Sequence, residues 1–220
     1  FISQAYKTRF TLDMVSGNLS ISSLFGAQGM TYFAWSDIMG DHQITFGTEM
    51  VLTLENSDYS FSYAYLKNRV NWYFTGFQTA DFFSDYGGGL ARLRHYGAAL
   101  YAAIPFNRFM RFDVGISHHT INYQQWQQNP LTGEYIVNRE DGFTALLPVT
   151  SWIFDNTVYG YTGPIDGTRQ NVTFYTSPSI NNSGIEFYTL SWDFRKYWLI
   201  GKEYTLAFRL MAGKSTGSDA

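Results

Sequence analysis

Alternation with a period of two runs through most of this chain of 220 residues and leaves little room for helix. From Tyr6 to Met14 the even positions hold Tyr6, Thr8, Phe10, Leu12 and Met14, and the odd ones Lys7, Arg9, Thr11 and Asp13. At Gln43–Leu52, Ile44, Phe46, Met50 and Leu52 oppose Gln43, Thr45, Gly47 and Glu49; at Tyr59–Tyr65, aromatic residues oppose Ser60, Ser62 and Ala64. Met110, Phe112, Val114 and Ile116 oppose Arg111, Asp113, Gly115 and Ser117. Tyr188, Leu190, Trp192 and Phe194 oppose Thr189, Ser191, Asp193 and Arg195, and Tyr204, Leu206, Phe208 and Leu210 close the series. Successive side chains of a strand point to opposite faces, so each segment has one greasy and one polar face.

A soluble β-sandwich also alternates, but its outer face meets bulk water and carries many Lys and Glu. Here only 15% of residues are charged and 19% are aromatic, and the polar face is Ser, Thr, Gln and Gly with a few opposite charges. Alternating segments of about ten residues, apolar to lipid and polar to a lumen, with aromatic girdles at both interfaces, are the signature of transmembrane barrels. Trp35, Trp72, Trp152, Trp192, Tyr197 and Trp198 lie near expected strand ends, where a girdle sits. Lys7, Arg9, Asp13, Glu49, Arg111, Asp113, Asp193 and Arg195 are then expected to face the lumen as charge pairs. No apolar run approaches the length of a membrane helix.

The links support the same architecture. Short ones are expected at Ile38–Asp41, Lys67–Arg69, Phe106–Arg108, Gly163–Gly167 and Leu199–Lys202. Longer polar ones fall at Ser16–Ala27, Thr79–Arg92, Thr120–Gly142 and Ser177–Gly184, with only Glu55–Asp58 brief. Strands near 4–15, 28–37, 42–54, 59–67, 70–79, 93–105, 109–121, 144–158, 168–177, 185–197 and 203–213 put every short link after an even-numbered strand. Outer-membrane barrels have short periplasmic turns and long external loops, so the N-terminus is expected on the periplasmic side. Eleven is an odd count, and an open sheet edge in lipid leaves backbone groups unpaired at several kcal/mol each. The 220 residues are therefore expected to be the N-terminal part of one larger all-β, antiparallel barrel domain.

The stretch "FDNTVYGYTGPIDGTRQNVTF" resembles a hallmark of the bacterial surface antigen superfamily, which includes the central subunit of the outer-membrane barrel assembly machinery and the two-partner secretion transporters. There a strand ending in an Asp-Asn-Thr-like triplet enters a Pro-x-x-Gly turn and an Arg-led strand; Asp155, Asn156, Thr157, Pro164, Gly167 and Arg169 match. The resemblance implies that the turn joins the eighth and ninth of sixteen strands. "FAWSDIMGDHQITF" (Phe33–Phe46) is similar to a subgroup whose barrel follows a periplasmic Tol-like β-propeller. The family's Val/Leu-Arg-Gly-Phe/Tyr loop motif is absent from this sequence.

Little else points to chemistry. "GKST" at Gly213–Thr216 has Phe208 where a phosphate loop needs its first Gly, and a strand running into a loop is expected where the motif needs a helix to follow. His118 and His119 are adjacent on a strand and cannot share a metal; they are read as ordinary strand residues, like His42 and His95. There is no Gly-x-Ser-x-Gly nucleophile elbow and no Cys for a disulfide or thiolate site. Asn18, Asn171 and Asn181 match a glycosylation pattern that has no role in a bacterial outer membrane. The net charge of -3 and scattered basic residues offer no field for nucleic acid.

The expectation is thus a non-enzymatic barrel without cofactors, whose partners are outer-membrane lipids and client or envelope-complex proteins. The resemblance implies insertion or translocation of proteins or other envelope components. Strand one, with Tyr6, Thr8, Phe10, Leu12 and Met14, would form the seam that opens to lipid or accepts a client strand. A passive porin-like channel lined by the charged residues, and a structural scaffold in an envelope complex, are the alternatives.

Overall fold

The computed structural model describes residues 6–22, 26–50, 56–84, 89–128, 135–178, 185–201 and 203–218. Among the described residues the strands are β1 (Phe10–Ser22), β2 (Gly26–Asp37), β3 (His42–Met50), β4 (Asp58–Tyr65), β5 (Asn71–Ser84), β6 (Leu90–Pro105), β7 (Met110–Gln128), β8 (Tyr135–Asp155), β9 (Val158–Tyr159), β10 (Pro164–Ser177), β11 (Phe187–Ile200) and β12 (Tyr204–Thr216). They follow one another in an antiparallel sheet, β1 through β8 and then β10 to β12, while the two-residue β9 pairs with β10. Eleven long strands stand where eleven are expected, and the twelfth lies inside a turn. β1 and β12 end the order, each with one hydrogen-bonded neighbour.

The chain divides into two compact units, Phe1–Leu100 with His118–Thr144, and Tyr101–Ser117 with Ala145–Ala220. In the first unit register carries face identity from strand to strand, because directly opposite residues of an antiparallel pair share a face. Trp35 faces Leu12 and Ile44, Phe33 faces Val15 and Phe46, and the row continues through Phe46–Phe61, Ile44–Tyr63, Tyr63–Phe74 and Tyr65–Trp72. Phe33 and Trp35 stack at 5.5 Å. The other face presents Gln43, Thr45, Gly47 and Glu49 against Ala64, Ser62, Ser60 and Asp58, interrupted by Tyr32, Tyr73 and Phe77.

The second unit repeats this division. Val172 lies between Trp152 and Trp192, Phe174 faces Leu190, Phe194 faces Leu210 and Trp198 faces Leu206, whereas Ser151, Thr173, Ser191 and Gly213 form a polar row behind them. Among the described residues the buried apolar side chains are the alanines 91, 99, 102 and 145, while Leu12, Met50, Trp72, Phe74 and Leu190 are 40–54% exposed. In each unit the large apolar groups stand exposed on one face of the sheet. Contiguous exposed apolar faces mark surfaces that meet a partner or a membrane.

β1 departs most from expectation. It starts at Phe10, so Tyr6, Lys7, Thr8 and Arg9 precede it without regular structure and lie outside the seam strand. Leu12 pairs with Trp35 but Met14 pairs with Ala34, which leaves Asp13 as an extra residue in a β-bulge. The bulge turns Met14 to the polar face and gives the apolar face to Val15, Leu19 and Ile21. The expected loop Ser16–Ala27 is consequently mostly strand, with β1 and β2 paired as far as Ser22 and Gly26.

Two other expected loops are also shortened by strand extension. β5 runs to Ser84 and β6 starts at Leu90; β7 runs to Gln128 and β8 starts at Tyr135. Side-chain contacts sustain the extension: Gln124 Nε2 donates to Glu140 at 2.8 Å, Arg92 donates to Asn56 Oδ1 at 2.7 Å and lies over Trp126, and Phe83 meets Tyr123. Residues 23–25, 55, 85–88, 129–134, 179–184 and 202 of the expected links, and 51–54 of the expected third strand with Leu52, lie outside the described residues.

The short link after β2 falls where expected and is closed by one side chain. The Asp37 carboxylate accepts the His42 N–H at 2.8 Å and the Tyr6 hydroxyl at 2.6 Å, and its carbonyl accepts Gly40 N–H at 2.9 Å. Asn107 caps the next-but-one short link, accepting from Phe109 and Met110 N–H at 2.8 and 2.9 Å. Burial raises the Asp37 carboxyl, but the Tyr6 hydroxyl and the His42 amide outweigh it and leave the group below its usual range. A depressed folded-state value stabilises the fold above the unfolded carboxyl value near 4, and the gain is lost as pH falls through the folded one. Asp37→Asn is therefore expected to lower the urea midpoint at pH 7, with the gap to the parent closing as pH falls through the folded carboxyl's depressed value. A gap independent of pH would show that charge plays no part.

Candidate functional site

Three regions hold the residues expected to matter: the turn after β8, the polar faces, and β1. The turn is built by side chains replacing the sheet ladder where it breaks. β8 ends at Asp155, opposite Arg169, whose Nε lies 3.5 Å from Asp155 Oδ2. Asp155 Oδ1 accepts Thr157 N–H at 3.0 Å, Asn156 Oδ1 accepts Thr168 N–H at 2.7 Å, and Asn156 N–H returns to the Thr168 carbonyl at 3.0 Å. β9 then pairs with Pro164 and Asp166 across a register shift. Proline, which has no N–H to give to a ladder, is confined to positions such as this irregular strand start.

The corner itself is Gly160–Gly163, where Gly160 N–H donates to the Gly163 carbonyl at 2.8 Å. It sits further out than the expected Gly163–Gly167, because the segment between folds as a small hairpin. Gly167 is the fulcrum: its φ is +109°, and a Cβ there would lie 2.6 Å from the Asn156 carbonyl oxygen and 2.7 Å from Thr157 Cα. All six motif residues thus lie in the small structure around this turn.

On the polar face of the second unit, register aligns Asp155, Arg169, Arg195 and Arg209 in one row across β8, β10, β11 and β12. Like charges directly opposite destabilise a sheet, and Asp193 in the adjoining row offsets them. Both its oxygens are taken twice, by Arg195 at 3.1 and 2.7 Å and by Arg209 at 3.3 and 2.9 Å. Two guanidinium forks on one carboxylate lock β11 to β12. Asp193→Asn is expected to cost about 1–2 kcal/mol, discounted from the buried-pair value because the arginines are partly exposed. The loss should grow as salt is lowered, since screening of the three arginines weakens; chemical denaturation at two ionic strengths reads it.

The other charged residues are distributed differently. Glu49 stands opposite Asp58 on the polar face of the first unit. Arg111 and Asp113 pair with each other at 3.1 Å on β7. Asp13 lies in the bulge and accepts from the Thr11 hydroxyl at 3.4 Å, and Lys7 and Arg9 precede β1. Of the expected girdle, Trp35 and Trp72 lie on the apolar face of the first unit and Trp152, Trp192 and Trp198 on that of the second. Tyr197 does not join them: it stands opposite Gly167 and Ala207, on the face of Arg195. Neighbours in a strand cannot both point outward, and Trp198 takes that side.

Sequence reasoning passed over Arg209, although it alternates with Phe208 and Leu210. It also passed over the contact of His95 with His119, which depends on the pairing of two strands. Among the described residues no three His, Asp or Glu side chains gather as a metal site.

No protein-family model and no curated protein matches the chain. Among solved structures it is similar to BamA from Haemophilus ducreyi lacking POTRA domains 1–3, with a TM-score of 0.62 and 14% sequence identity. The match covers 96% of this chain and 42% of that one, so the chain spans less than half of its structural neighbour. At this identity the likeness is one of fold: the antiparallel sheet matches the barrel of BamA.

Proposed function

We propose that the chain is part of an outer-membrane β-barrel of the bacterial surface antigen superfamily, and that this barrel inserts or moves polypeptides or other envelope components across the outer membrane without an enzymatic step. The observation that carries the proposal is the fold match over 96% of the chain. It is supported by apolar faces suited to lipid and by the six-residue turn at Asp155–Arg169. In this account Trp35, Trp72, Trp152, Trp192 and Trp198 meet the lipid, Glu49, Asp193, Arg195 and Arg209 face the lumen, and the short links lie in the periplasm with the N-terminus. The likeness of Phe33–Phe46 to the propeller-bearing subgroup belongs to the same proposal.

The working edge is β1. It has one neighbour in the sheet order, and its bulge at Asp13 limits continuous pairing on that edge to short stretches. Of the seam residues Phe10, Leu12 and Met14 lie within the strand, and a client strand would add by main-chain hydrogen bonds beside them. A cysteine pair locking β1 to the strand that closes the barrel is expected to stop insertion of client proteins, with recovery on reduction. Insertion at an undiminished rate through the locked barrel would sink the proposal.

A further inference from the structure

His95 on β6 and His119 on β7 meet on one face of the first unit, with His95 Nε2 3.0 Å from His119 Nδ1. Their ring centroids are 5.2 Å apart and their planes differ by 26°. That separation is close to the N···N distance plus the two ring radii, so the rings meet almost end to end along one N–H···N bond. A metal held by both nitrogens would need the lone pairs to converge on a third point, which this alignment does not provide. Phe77 fixes the arrangement, its ring 4.9 Å from that of His95 and 5.6 Å from that of His119. Room for Phe77 comes from Gly97: a Cβ there would lie 3.2 Å from the Phe77 ring and 2.1 Å from the His118 carbonyl oxygen.

We propose that His95 and His119 form a proton-operated clasp between β6 and β7. In the neutral pair one imidazole donates its N–H to the other's lone pair. A first proton from solvent binds the donor ring at its far nitrogen and leaves the bridge intact, now charge-assisted. A second proton must take the accepting nitrogen inside the bridge, which sets two N–H groups face to face and breaks it. The two rings therefore titrate as a unit, and the coupling between β6 and β7 is lost in acid.

The other titratable and charged groups on these strands include Tyr73 and Asp81 on β5; Arg92, Arg94, Tyr96 and Tyr101 on β6, with Arg94 over Tyr96; Arg111, Asp113, His118 and Tyr123 on β7; and Arg139, Glu140, Asp141 and Asp155 on β8, with Glu140 bonded to Gln124 and Asp141 to Arg139. His118 is exposed and points to the opposite face by alternation.

The test is an NMR titration of the histidine Cε1–H signals in the full chain folded in detergent micelles. Both rings of the clasp are expected to report the same two resolved steps. In His95→Gln, His119 should titrate in a single step, and likewise His95 in His119→Gln; His118→Gln should leave both steps in place. Amide exchange near Gly97 and His118 should quicken below the second step. A single shared midpoint for both rings in the parent protein would overturn the proposal, and the parent titration decides this even where a variant does not fold.

Discussion

Replacing Gly167 by valine is expected to destabilise the protein by about 3–5 kcal/mol, enough to prevent a single folded species at moderate urea. Two effects add. A side chain at φ +109° costs about 1–3 kcal/mol of backbone strain, and its Cβ would overlap the Asn156 carbonyl and Thr157 Cα, which are backbone and cannot turn aside. Relief would require breaking the Asn156–Thr168 bonds that return the chain to β10. Gly163→Ala is the control: its φ is +154° but nothing lies within 4 Å of the added Cβ, so about 1 kcal/mol is expected. Urea midpoints of the two variants, refolded in detergent, measure the difference. Equal losses at both positions would show that the close approach at Gly167 does not matter.

The second large effect separates the two faces of one strand. Phe46 lies between Phe33 and Phe61 on the apolar face, and Thr45, its neighbour, lies between Ala34 and Ser62 on the other. An arginine facing the hydrocarbon of a barrel costs about 2–4 kcal/mol near the bilayer midplane and less toward the interfaces. Phe46→Arg is thus expected to lose about that much folding stability in lipid vesicles, and Thr45→Arg less than about 1 kcal/mol. Reversal of the order would place water on the aromatic face.

The strand count, the short links and the division of faces were legible because each rests on local alternation. Phe46 and Trp192 reveal their side through their own neighbours. The bulge at Asp13 was less legible. The sequence does record the slip, since the apolar residues pass from even to odd positions between Leu12 and Val15, but Gly17, Asn18 and the serines around Leu19 and Ile21 imitate a loop. Long loops were overread for the same reason: Gln124 and Glu140 look like solvated loop residues until they are seen bonded across two strands.

The turn shows the other limit. Asp155, Asn156, Thr157, Pro164, Gly167 and Arg169 were visible as a string, yet β9 is only two residues long and too short for any period. Its role follows from where Asp155 and Asn156 spend their side-chain oxygens. Tyr197 was misplaced because an aromatic residue at a strand end fits a girdle by type; only parity against Trp198 assigns its face. The histidine clasp depends on the pairing of β6 with β7, which no single segment contains.

The most direct test of an outer-membrane barrel with lipid outside is spin-label accessibility along β3 and β11 in the full protein in bilayers. Labels at positions 44, 46 and 48 and at 190, 192 and 194 should be open to oxygen and shielded from a water-soluble relaxant. Labels at 45, 47 and 49 and at 191, 193 and 195 should show the reverse. Loss of this period of two, or water access at both sets, would contradict the account.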